Sequence, residues 1–212
     1  MRISTLAVAA GLALAALTGA AFADNVHDSK NRISVTTPAG WRVIDQSNDR
    51  HTYLVLGSAA NECDIDAIPR TEYASLTPSN ARLSAGRELP ADSWAAIVTP
   101  WITGSGDTTG LHGPATFVSQ SIDSSTFFPS QRGELTDASG TKVHAARLVR
   151  PGLEIFVYCL TYSGADNMSI YDGIIHSIAT PNDAQWQAQA EATPAPATPA
   201  APATPTPPPA HH

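Results

Sequence analysis

The chain has 212 residues, with 12 Lys+Arg against 19 Asp+Glu for a formal charge of −7, and only two cysteines. That length suits one ordinary domain, two thiols are too few for a disulfide-dense mini-protein or a four-thiolate zinc site, and the acidic balance argues against coating nucleic acid or an anionic membrane surface. Charged residues make up 15%, below the ~25% of typical soluble domains, so uncharged polar groups must wet much of the surface.

In chain order, residues 1–23 read as a secretory leader. Arg2 supplies the positive start, Leu6 to Leu17 a small-residue apolar run, and Ala21-Phe22-Ala23 the small-x-small cleavage pattern. The apolar run is shorter than the ~20 residues a spanning helix needs, so no membrane span is expected after cleavage. The mature chain then starts at Asp24, and the expected location is periplasmic or secreted.

One α+β domain is expected over 24–182. Alternation or dense apolar runs predict strands at Ile33-Ser34-Val35, Trp41-Arg42-Val43, His51 to Leu56, Cys63 to Ile68, Ala115 to Ile122, Gly133 to Thr136, Val143 to Val149 and Leu153 to Tyr162. Asp137-Ala138-Ser139-Gly140 is a hairpin turn signal, and Ile155 to Leu160 is β-branched and aromatic enough for a central strand. A first helix presents Trp94, Ile97, Val98, Trp101 and Ile102 as one stripe, with Asp92 as its cap. Pro100 should stop or kink it near Thr99, leaving Gly104 to Gly110 as a flexible loop. A second helix should start at a cap near Asp166, show Met168, Tyr171, Ile174, Ile175 and Ile178 on one side, and end by Pro181. Strands in runs with a helix midway and one at the end imply an antiparallel sheet packed with helices.

Residues 183–192 read as a short polar connector, and 193–212 as a Pro/Ala/Thr-rich disordered tail holding eight of the 17 prolines. As polyproline II at ~3.1 Å per residue the 18 residues from Thr193 to Ala210 would reach roughly 55 Å. The tail suits a spacer that projects something through a crowded envelope, a surface for a Pro-binding partner, or a plain solvated, glycosylated end. His211 and His212 close it, as a weak metal handle or a tag remnant.

The chemistry-bearing residues are sparse. In an oxidising compartment Cys63 and Cys159 are expected to form a disulfide, the alternative being a Cys159 nucleophile activated by His144 or His176. Neither Gly-x-Ser-x-Gly nor a P-loop occurs, and His27, His51, His112, His144 and His176 lack metal-ligand spacing. Asp64 and Asp66 share one strand face and would need a third oxygen for a hard cation; the plainer reading is the solvent side of an edge strand. No catalytic, cofactor or metal residue is therefore assigned. Trp101 and Trp186 are candidate partner anchors, since Trp is enriched in interface hot spots, against ordinary packing as the alternative.

The opening Ile33-Ser34-Val35-Thr36-Thr37-Pro38-Ala39-Gly40-Trp41 and the closing strand and helix, Val157 to Tyr162 and Tyr171-Asp172-Gly173-Ile174-Ile175-His176-Ser177-Ile178, resemble the PsbP-like family over about residues 31–179. Such proteins often finish on Ser-Phe, where this chain has Ser177-Ile178. The resemblance implies an α/β/α sandwich around an antiparallel sheet, and a binding or assembly role with no shared catalytic residues.

Together these features lead to an expectation of an exported, non-enzymatic envelope protein with a protein partner, no nucleic acid and no cofactor. The rivals are a small hydrolase with a pocket near Gly104–Gly110 and a metal- or ligand-binding protein.

Overall fold

The structure is a computed structural model that describes residues 22–192. The leader, apart from Phe22 and Ala23, and the 193–212 tail lie outside the described residues.

Strand β9 (Leu153–Thr161) explains the layering. Its Ile155, Val157 and Cys159 enter one core while Phe156, Tyr158 and Leu160 enter another, as the two-residue period of a strand buried on both faces requires. It sits in the middle of a seven-stranded antiparallel sheet. The order is β3 (Arg42–Asp45), β4 (Thr52–Gly57), β5 (Asn61–Pro69), β9, β8 (Lys142–Arg150), β7 (Ser130–Thr136) and β6 (Thr116–Asp123). The Asp137-Gly140 signal does turn β7 into β8: the Asp137 carboxylate accepts from the Ser139 and Thr141 amides, both at 2.8 Å, and Gly140 takes φ 87°.

One face carries α3 (Met168–Ser177), through Tyr171, Ile174 and Ile175, and the hairpin of β1 (Phe22–His27) and β2 (Ser34–Pro38), through Ile33 and Val35. The Ser34 amide donates to the Ala179 carbonyl at 2.8 Å, tying β2 to the chain just past α3. The other face carries α2 (Ala91–Thr109), through Trp94, Val98, Trp101 and Ile102. A smaller cluster gathers α1 (Pro78–Ala85), Phe128, Val149 and Trp186 of α4 (Asp183–Ala192). The protein is an α+β sandwich around an antiparallel sheet.

Several local expectations are corrected. The first helix does not stop at Thr99 but runs through Pro100 to Thr109, so most of the expected Gly104–Gly110 loop is helix, ended by Gly110 at φ 70°. Proline in a helix costs about 3 kcal/mol, whereas burying Trp101 and Ile102 beyond it returns roughly 1.5–3 kcal/mol each. Ser105, Thr108 and Thr109 hydroxyls bond back to carbonyls one turn earlier, which satisfies them within this glycine-rich end. Asp92 lies in the first turn without capping it, as the N-cap position is Pro90. The second helix starts at Met168 rather than at an Asp166 cap, because Asp166 pairs with His144 at 3.0 Å. The 183–192 connector is helical, with the half-buried Trp186 facing Phe128 at 6.4 Å.

Candidate functional site

Between α2 and the β3–β4–β5–β9 part of the sheet lies a cleft of about 980 Å³, at the upper end of the ~300–1,000 Å³ usual for small-molecule sites. Strand alternation decides what faces it. On β5, Cys63, Ile65 and Ala67 point into the α3-side core, so Glu62, Asp64, Asp66 and Ile68 turn toward α2. Tyr53 and Val55 of β4 and Phe156 and Tyr158 of β9 flank them, and Ile97, Pro100, Trp101, Ser105 and Thr108 of α2 close the roof.

Asp64 is the centre of this floor. It is 2% exposed, and its Oδ2 accepts from Tyr53 Oη at 2.5 Å and Trp101 Nε1 at 2.8 Å. Its Oδ1 has no hydrogen-bond partner and is the one such buried side-chain atom among the described residues. An unpaired buried oxygen costs about 1–3 kcal/mol, more when charged. Burial pushes the Asp64 carboxyl above its usual range against the pull of the two donors, and Glu62 and Asp66 are raised by burial as well. Burial and the neighbouring Asp64 carboxylate likewise push the Tyr53 hydroxyl up.

The walls are fixed by pairs. His51 Nδ1 meets Asp66 Oδ1 at 2.8 Å, and Trp101 stacks on Tyr158 at 4.8 Å and 12°. Arg70 pairs with Glu154 at 2.8 Å; Glu154 also receives Arg147 at 2.6 Å, and Arg147 reaches Gln131 at 2.7 Å. A second cavity of about 410 Å³ lies under α3, but its charges are paired: Arg132 with Asp123 at 2.8 Å and Asp172 at 3.5 Å, and His144 with Asp166. Only the α2 cleft leaves a buried carboxylate oxygen unserved among the described residues.

The chain is similar to the solution structure of cyanobacterial PsbP (CyanoP) from Synechocystis sp. PCC 6803, at 13% identity and a TM-score of 0.48, covering 82% of this chain and 98% of that one. It is a weak structural resemblance, of the same kind as the one read from the sequence. No protein-family model matches the chain, and no curated protein matches it.

Cys63 and Cys159 are joined by a disulfide, as directly opposed partners on β5 and β9. His144 is the cross-strand neighbour of Cys159, but the sulfur is bonded and the imidazole is held by Asp166. Trp101 is only 8% exposed, with its ring and N–H committed to Tyr158 and Asp64. Trp186 lies in the separate α1–α4 cluster, so the two tryptophans do not share a surface.

The plainer reading of Asp64 and Asp66 is corrected: β5 is not an edge strand, because β9 pairs with it along its whole length. The missed signal lay in β9. A central strand offering Phe156 and Tyr158 on the same face as the aspartates could not leave that face to solvent.

Proposed function

We propose that this chain is an exported, non-enzymatic binding protein of the cell envelope, which holds a ligand in the cleft under α2 and carries a proline-rich tether. The observation that carries the reading is the unpartnered Oδ1 of buried Asp64 in an aromatic-walled cavity, an acceptor that a bound molecule would satisfy. The leader pattern ending at Ala23 and the proline-rich 193–212 segment support export and tethering. The half-buried Trp186 on α4 remains the better-placed partner anchor, since Trp101 serves the cleft.

Val55 lines the cleft, so Val55→Trp should fill it. Wild-type and Val55→Trp protein are incubated with envelope extract, re-isolated and weighed by native mass spectrometry. An adduct on the wild type alone supports the reading; equal adducts on both, or none, overturns it. Export is checked by N-terminal sequencing, which should begin at Asp24, whereas an uncleaved cytoplasmic chain would defeat that part.

One observation favours a second reading. Asp64 and Asp66 both carry carboxyls raised by burial, the condition of a general acid, beside Gly104 and Ser105 of the expected pocket. Turnover in a hydrolase panel that disappears in Asp66→Asn would establish a hydrolase.

A further inference from the structure

The cleft's chemistry narrows what it can hold. Glu62, Asp64 and Asp66 stand on one face of β5 at alternate positions, so successive carboxylates are spaced about 7 Å along the strand. That row is too extended for one bare ion to contact all three at the 2.3–2.6 Å of calcium–oxygen bonds. Much of the donor capacity nearby is already used. Tyr53 and Trp101 donate to Asp64, Ser105 donates to the Trp101 carbonyl at 2.8 Å, and Thr108 to the Ser105 carbonyl at 2.8 Å. Of the cations in the wall, Arg70 is paired with Glu154, Arg42 stands exposed at the rim, and His51 is bound to Asp66. The remaining donors, Arg42, Gln46 and Asn48, come from β3 and the β3–β4 connection, while the β5 floor offers carboxylates beside apolar side chains, the complement of a donor-rich cation with an apolar stem.

Building on the reading of the cleft as a ligand site, we propose that it binds a linear alkyl polyamine, with ammonium groups on Glu62, Asp64 and Asp66 and methylenes against the half-buried Tyr53, Val55 and Ile97. Asp64 Oδ1 receives an N–H there, which removes the one unsatisfied buried acceptor. A cation also favours the ionised form of carboxyls that burial raises despite Tyr162 and Arg42 at Glu62, Tyr53 and Trp101 at Asp64, and His51 and Arg70 at Asp66, so binding in the acid range where they titrate releases protons.

The test is calorimetry on the full mature protein with spermidine, against 1,4-butanediol as an uncharged chain, calcium chloride as a bare cation, and tri-lysine as a peptide source of the same ammonium groups. Spermidine should bind at least tenfold tighter than each of the other three, with an enthalpy at pH 5 that varies with the buffer's own ionisation heat. Glu62→Gln, at a half-buried position, and Asp64→Asn should each weaken it at least fivefold, while Glu191→Gln on exposed α4 leaves it unchanged. Equal binding of butanediol or calcium, stronger binding of tri-lysine, or no spermidine binding overturns the inference. In each of those cases an extract adduct that Val55→Trp abolishes keeps the cleft as a site for some other ligand; loss of that adduct as well removes the site itself.

Discussion

Gly133 shows how little slack single residues have. A Cβ built on it would lie 2.8 Å from Trp94 Cδ2, against a fully buried ring whose Nε1 donates to Gln120 at 2.8 Å. Gly133→Ala should therefore cost about 1–3 kcal/mol, the usual penalty for overpacking, read as a lower urea midpoint at unchanged slope. No change would mean that the Trp94 indole can shift freely. Asp64 illustrates how far a residue can be read without its neighbours. The alternation of Cys63-Asp64-Ile65-Asp66 gives its strand and its face, but its partners Tyr53 and Trp101 come from elements 11 and 37 residues away. Only tertiary packing makes a solvent-facing pattern into a buried carboxylate.

At the scale of elements, strands were the more legible class, because their period of two and their turn residues are local. Ile155 to Leu160 reads as a central strand, and it is one. Helix ends were less legible. Pro100 and the glycines after it are local breakers, yet α2 continues because burying Trp101 and Ile102 offsets what the breakers cost. Helix α1 was hidden for a related reason: its apolar face consists of little more than Ala81 and Ala85, too small to form a visible stripe. The true stop of α2 is Gly110, in the left-handed region at φ 70°. Gly110→Ala should cost about 1 kcal/mol, measured by thermal unfolding, with an unchanged midpoint arguing that the turn relaxes.

The molecule as a whole titrates in two opposed directions. Burial raises Glu62, Asp64 and Asp66 above unfolded values of 4.5, 3.8 and 3.8, so the native state holds extra protons and stability falls as pH rises through this window. Asp123 and Asp137 go the other way. Burial pushes them up, but hydrogen bonds from His176, Ser125 and Arg132 to the first, and from Ser139, His112 and Thr141 to the second, hold both below 3.8. Their contribution is present above that value and is lost as pH falls. Urea midpoints from pH 2 to 8 should therefore peak on the acid side of neutrality; a steady climb to pH 8 would contradict the raised cleft carboxyls. The disulfide acts at this scale too, closing a 96-residue separation. Cys63→Ser with Cys159→Ser should cost about 2–5 kcal/mol, seen as a lower urea midpoint that no longer responds to reductant.

The sheet is two meanders, β3–β4–β5 and β6–β7–β8–β9, that meet along a single seam between β5 and β9. While the chain is being made, β5 is an open border with its ladder groups bare until the last strand arrives. Bare borders of this kind invite pairing with other chains. The seam is thus the slow, vulnerable step of assembly, and the sulfur bridge across it acts as a latch that keeps the two halves from parting again.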